Sequence, residues 1–349
     1  AIGCQICVKT AIVTSDDPQM DGTMTDMPDW EAQGNVGGLL DCVITEDQYP
    51  GRTPADPYIG TNWDKVEASN RLLYLTALFD GLGLDFIEGG AHIALMMELR
   101  QRNLITREDL RLPSAVGDLT WGNYKAAAWV MNQFSTSDEM PWPEIRKGTY
   151  ETANYFARIK NNPGIRYYAQ CIKRYGQPAH DPRSGRCKQI DGYQQAEKPG
   201  SHTDGYGAGV PAAYAITCLV VCSFARATVG VPTNVPALIQ ATTGWPYTEA
   251  DYTTLGERVH NMLRAFNMIT QGIRNPAAEW DDLWPRRWLE PLPTGWARGT
   301  TQVTEAKVKE GLATFYRDRG WDARGFPTTE TMRKYGLDYV EDYLRRLRS

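Results

Sequence analysis

Three features of this 349-residue chain carry side chains able to do chemistry. The first is Cys4-x-x-Cys7. Two thiolates at this spacing can hold one metal ion or two corners of an iron–sulfur cluster; they can also form a redox pair, or do nothing. No second C-x-x-C follows, which argues against a zinc ribbon. The second is Asp80-Gly81-Leu82-Gly83-Leu84-Asp85. Glycine lets the backbone approach a flat ligand, and a carboxylate accepts hydrogen bonds from ring N–H and NH2 groups. The same residues also read as an ordinary helix C-cap, with Gly81 or Gly83 left-handed and the aspartates in water. The third is His202, in a Gly/Ser/Asp loop. Its imidazole can give or take a proton near neutral pH, or serve structure alone. His92, His180 and His260 read as structural.

Helices must position these groups. Val66, Leu72, Leu73, Leu75 and Leu78 predict a helix over Trp63–Phe79, ending at the acidic turn. Ile93, Ala94, Met97 and Leu99 predict one over Glu88–Arg102. Further helices are expected over Gly122–Phe134, Trp142–Lys160, Pro211–Ala225, Pro232–Gly244, Tyr247–Ile273, Thr304–Gly320 and Thr329–Leu347. Residues 1–62 read as loop, and Pro276–Gly295 as a Trp/Pro-rich surface wrap. Few runs alternate with period two, so the fold class is mainly α, with no repeat and no low-complexity tract.

The chain is long enough to bury a sizeable core and to form two domains. Its 42% hydrophobic and 23% charged residues are those of a soluble globular protein. Net charge is −5 with no basic block, which argues against nucleic acid. Gly205–Ala225 carries no charge, but its apolar part is too short to cross a bilayer, so no transmembrane segment is expected. No signal peptide is visible. Seven cysteines, an odd number, argue for a reducing compartment, hence a cytoplasmic location, with some thiols free or metal-bound. Eleven tryptophans and eighteen tyrosines are many; they suit packing on large planar surfaces, and more often serve as plain core residues.

Asp80–Asp85 resembles the D-x-x-G-L-D pterin motif of the aldehyde:ferredoxin oxidoreductase family. Pro178–Gly185 (PAHDPRSG) resembles its P-A-Y-D-P-R-G, and Val220–Ala225 (VVCSFA) its L-C-K-F-A. Ala241–Asn267 resembles the A-T-G-W…G-E-R…N-L-E-R-x-F-N stretch. Arg286–Gly295 and Phe315–Thr328 resemble the C-terminal tail. The matches run in order along nearly the whole chain.

The resemblance implies a tungsten (or molybdenum) bis-pterin cofactor and one 4Fe-4S cluster, with Mg2+ as a further ion. It implies two helical domains, domains 2 and 3 of that fold, here residues 1–160 and 161–349. The first would carry the first cluster cysteines and first pterin motif, the second the second pterin motif and fourth cluster cysteine. The N-terminal pterin-binding β domain is expected to lie outside this chain, missing or separate. Cys4, Cys7 and Cys222 take cluster-ligand positions. The family pattern has a third nearby cysteine where this chain has Ala11. Asp80, Leu84 and Asp85 match the first pterin motif. The second, D-x-x-G-L-C, reads Thr217-Cys218-Leu219-Val220-Val221-Cys222, so Thr217 stands for the aspartate and Val221 for the leucine. Cys42 falls where the family places a glutamate near the metal. A cysteine ligand to tungsten distinguishes the benzoyl-CoA reductase branch, and a thiolate suits a soft heavy metal. Cys42, with Asp41 beside it, is therefore a candidate ligand, or a free loop thiol. His202 matches the histidine near the substrate. Asp181 and Arg183 would brace their loop.

The resemblance favours low-potential reduction of an aromatic acyl-CoA slightly over oxidation of aldehydes to carboxylic acids. A helical subunit that has lost its cofactor is the third reading. Expected partners are a ferredoxin or iron–sulfur electron-transfer subunit and a small-molecule aldehyde or acyl-CoA, in an oligomer.

Overall fold

The computed structural model describes residues 10–12, 17–20, 22, 24–26, 65–177, 182–184, 194–199, 209–219, 235–292 and 298–349. It is mainly helical, as expected. The chain divides into two compact units, residues 1–185 with 284–302 and residues 186–283 with 303–349. Position 160/161 lies inside unit 1.

Unit 1 opens with a short antiparallel pair, β1 (Thr10–Ile12) and β2 (Met24–Asp26), in the part expected to be loop. Helix α1 (Lys65–Gly81) buries Leu72, Leu75, Thr76 and Phe79, four positions on one helical face. Helix α2 (Phe86–Gln101) is buried on most sides, through Gly89, His92, Ile93, Leu95, Met96, Met97 and Leu99. It is the central helix of the unit, packed by Phe79, Phe134, Trp142 and Phe156. Helix α3 (Tyr124–Thr136) starts on Asn123, whose side chain accepts the Ala126 amide at 3.2 Å.

The helix expected over 142–160 is two, α4 (Trp142–Ile145) and α5 (Thr149–Ile159). The cause is tertiary. Gly148 sits at φ +111°, and the carboxylate of Glu88 on α2 accepts the Thr149 amide at 2.5 Å. A Cβ on Gly148 would meet that carboxylate at 2.6 Å. The hairpin β3 (Cys171–Ile172) and β4 (Tyr175–Gly176) follows.

The Trp/Pro-rich segment is not a surface wrap. Trp280, Trp284 and Trp288 are buried. The indole N–H of Trp288 donates to Gln177 at 2.9 Å, and Arg287 pairs with Glu98 at 2.8 Å. Large indoles gain most by burial when their N–H finds a partner.

Unit 2 is built on α6 (Val210–Cys218), α7 (Val235–Thr243) and the long α8 (Glu249–Gln271). A reciprocal Thr248–Asp251 capping box starts α8, and left-handed Gly272 ends it. Helix α6 lies directly against α8 at Gly256, where a Cβ would stand 1.8 Å from the Pro211 carbonyl oxygen. Short α9 (Pro276–Glu279) and α10 (Glu305–Arg319) follow. The helix expected over 329–347 breaks at Gly336 into α11 (Thr329–Lys334) and α12 (Asp338–Arg348).

Beneath α8 lies a buried ion network. Arg264 pairs with Asp281 at 2.6 Å and with Glu197 at 2.9 Å, and donates twice to the Gly325 carbonyl. Its guanidinium also faces the Trp321 ring at 4.5 Å. Every strong donor is matched, which is the condition for burying charge at tolerable cost.

Two outcomes follow for stability, both read by denaturant unfolding. Gly256→Ala forces α6 and α8 apart and costs about 1–3 kcal/mol. Arg264→Ala leaves two buried carboxylates uncompensated and costs about 3–5 kcal/mol.

Candidate functional site

The acidic turn is a join between two helices. At the end of α1, the Leu84 amide donates to the Phe79 carbonyl at 2.9 Å and the Gly83 amide to the Asp80 carbonyl at 3.0 Å. Gly83 is at φ +67°. This is a Schellman motif with glycine at its left-handed position, so the plain C-cap reading holds for the backbone. Leu84 is half-buried against the unit 1 core and anchors the turn. Asp85 is not simply solvated. It is the N-cap of α2, with Oδ1 accepting the Glu88 amide at 2.7 Å. The same oxygen accepts the Tyr175 hydroxyl at 2.6 Å. Asp80 is exposed, and its side chain makes no hydrogen bond or ion pair among the described residues.

The turn is open. Among the described residues, a Cβ built on Gly81 or Gly83 meets nothing within 4 Å. The chain thus presents two carboxylates across a bare backbone, a donor-accepting face suited to a flat heterocycle rich in N–H groups. The residues fit a pterin.

Beside the turn, Glu88 accepts the amides of Thr149 and Gly176. Burial pushes its carboxyl above the ordinary glutamate value, while those two amides pull it down. Cys171 is buried, and its thiol is pushed well up by that burial. Burial, then the bond to Asp85, pushes the Tyr175 phenol up as well, so it remains a donor.

The other expected residues fall as follows. Thr217 is exposed near the end of α6, and its hydroxyl donates back to the Ala213 carbonyl at 2.9 Å. Cys4, Cys7, Cys42, His202, Val221 and Cys222 lie outside the described residues. Cys218 is an exposed thiol whose value is raised by partial desolvation. Among the described residues no three His, Cys, Asp or Glu side chains group as metal ligands, and no helix is long and apolar enough to cross a membrane. His92 is buried, stacked on Phe134 at 4.5 Å, bonded to Thr152 and lowered by desolvation to about 3. It is a neutral structural ring. His260 is buried against Tyr214, Phe315 and Trp321. Arg183 donates to the carbonyls of Arg287 and Glu290, bracing its segment. A groove of about 790 Å³ in unit 2, floored by Tyr316 and Trp321, contains none of the expected site residues.

The family described as "Aldehyde ferredoxin oxidoreductase, domains 2 & 3" matches residues 1–213 and 210–337. This chain belongs to the aldehyde ferredoxin oxidoreductase family. It is 27% identical over 94% of its length to the aliphatic sulfonate oxidoreductase, WOR-like subunit, of Pyrococcus furiosus. It is 27% identical over 74% of its length to the tungsten-containing aldehyde ferredoxin oxidoreductase of the same organism, and 25% identical to that of Thermococcus kodakarensis. The chain spans about half the length of these relatives, 48% of the first and 44% of the others. In fold it is similar to a chain of the active-site complex BamBC of benzoyl coenzyme A reductase, solved with 1,5-dienoyl-CoA. The TM-score is 0.59 at 15% identity, over 97% of this chain and 52% of that one.

Within this aldehyde ferredoxin oxidoreductase domain pair, sequence reasoning missed Tyr175 and Glu88. Asp85-x-x-Glu88 carries the signature of a capping box. Here only half of it forms, because the Glu88 side chain turns to amides 61 and 88 residues away. No local signal marks Tyr175.

The two aspartates should separate by stability. Asp85→Ala removes an N-cap and costs about 1 kcal/mol. Asp80→Ala, at an exposed position without partners among the described residues, stays within about 0.5 kcal/mol of wild type. Thermal and urea unfolding of the two variants checks this.

Proposed function

We propose that this chain is the helical, cofactor-holding part of a tungsten bis-pterin oxidoreductase. The observation that carries the reading is the open Asp80–Asp85 turn, with two carboxylates around bare glycines, in a chain of this family. When bound, the tungsten pterin supplies the redox chemistry. The chain's own residues hold and orient it. Asp80 and Asp85 accept hydrogen bonds from the ring of one pterin, and Leu84 keeps their turn in place. Thr217 and Val221 serve the second. Cys4, Cys7 and Cys222 would hold a 4Fe-4S cluster, which would supply one-electron transfer toward a ferredoxin or an iron–sulfur subunit, and His202 would handle protons at the substrate. The pterin-binding β domain, on the same or a separate chain, completes the site.

Two substrate classes remain in this reading. Cys42 at the glutamate position supports low-potential reduction of an aromatic acyl-CoA. The names of the sequence relatives support oxidation of aldehydes to carboxylic acids.

Elemental analysis of the full-length protein, purified without oxygen, tests the proposal. Tungsten or molybdenum together with iron is expected. A protein free of all three metals would leave a helical scaffold. Anaerobic assays with benzoyl-CoA and with simple aldehydes then choose between the substrate classes.

A further inference from the structure

A carboxylate held at one oxygen from two directions cannot turn without breaking a bond. Oδ1 of Asp85 is held in this way, by the Glu88 amide at 2.7 Å and the Tyr175 hydroxyl at 2.6 Å. No described residue bonds Oδ2. We propose that Tyr175 is a positioning residue for the pterin turn: it fixes Oδ1 of Asp85 so that Oδ2 is presented to the cofactor's ring N–H groups. This rests on reading the turn as a pterin site.

The hairpin is built to deliver that hydroxyl. Its register pairs Cys171 with Gly176 and Ile172 with Tyr175. The two turn residues, Lys173 and Arg174, both have positive φ, +51° and +67°. That is the two-residue turn whose twist suits a tight hairpin, and it normally takes glycine or asparagine. Gly176, the residue after Tyr175, donates its amide to Glu88. A Cβ there would meet Ala91 Cβ at 2.5 Å and Glu88 Oε2 at 2.8 Å. β4 can therefore lie on the first turn of α2 only as glycine. Tyr175 and Gly176 dock side by side, one on Asp85 and one on Glu88. Glu88 also takes the Thr149 amide, so α5 is tied to the same point. Burial first, and then the bond to Asp85, keeps the Tyr175 phenol protonated, as a donor requires.

The test uses the full-length protein loaded with tungsten. Pterin retained per chain after gel filtration is read as its fluorescent oxidation product, with no activity assay needed. Tyr175→Phe is expected to speed pterin loss about tenfold, the scale of a hydrogen bond to a charged group. Asp85→Asn is expected to lose pterin, and adding Tyr175→Phe to it should change nothing further. Hydrogen exchange across Phe86–Gln101 reports whether α2 is intact. Retention in Tyr175→Phe equal to wild type overturns the proposal. So does an equal added loss in the Asp85→Asn background, or melting of α2, since either makes Tyr175 a packing residue. Full retention in Asp85→Asn would instead sink the reading of the turn itself.

Discussion

Oδ1 of Asp85 accepts one bond along its own helix and one from a hairpin ninety residues later in the chain. The candidate site depends on that shared oxygen. A helix N-terminus leaves amides without partners, and Asp85 takes one of them. Because the same residue directly follows the Schellman end of α1, the paths of two helices are fixed within six residues. Either cap alone would leave the turn free to swing. Together they make the position of Asp80 and Asp85 a consequence of core packing, through Phe79, Leu84 and Phe86.

Much of this was legible in the sequence. Val66, Leu72, Leu73, Leu75 and Leu78 fall near helical spacing, so α1 was readable to within two residues at each end. The two-glycine turn was readable as a helix C-cap from its residue types alone, and the left-handed Gly83 with its Schellman bonds bears that out. What could not be read is what arrives from elsewhere. The break at Gly148 is made by Glu88, sixty residues earlier, and no periodicity in 142–160 announces it. The same holds for Trp288. A Trp/Pro-rich stretch looks like surface until its indole N–H is seen to meet Gln177. Local pattern gives an element; its interruptions and its burial come from partners distant in sequence.

Unit 2 solves a different problem with the same economy of parts. The glycine of the G-E-R stretch sets the α6–α8 distance, and Arg264, eight residues on, carries the buried charge network. Both belong to the stretch that resembles the family pattern. Neither lies beside the acidic turn in sequence. Gly256 lets α8 approach α6, the helix that carries Thr217 and Cys218 at its end.

That second motif is chemically unlike the first. Asp80 and Asp85 offer charged acceptors, and hydrogen bonds to ionised groups are roughly twice as strong as neutral ones. Thr217 offers a neutral hydroxyl whose proton is already committed to the Ala213 carbonyl. It can accept, but without the charge. Under the proposed function the two pterins are therefore gripped unequally, and more of the hold falls on the first turn. A site that relies on one anionic grip gains most from keeping that grip rigid. The docking of the hairpin on Asp85 and Glu88 does this, with bonds that involve no cofactor atom and can be in place before any cofactor binds.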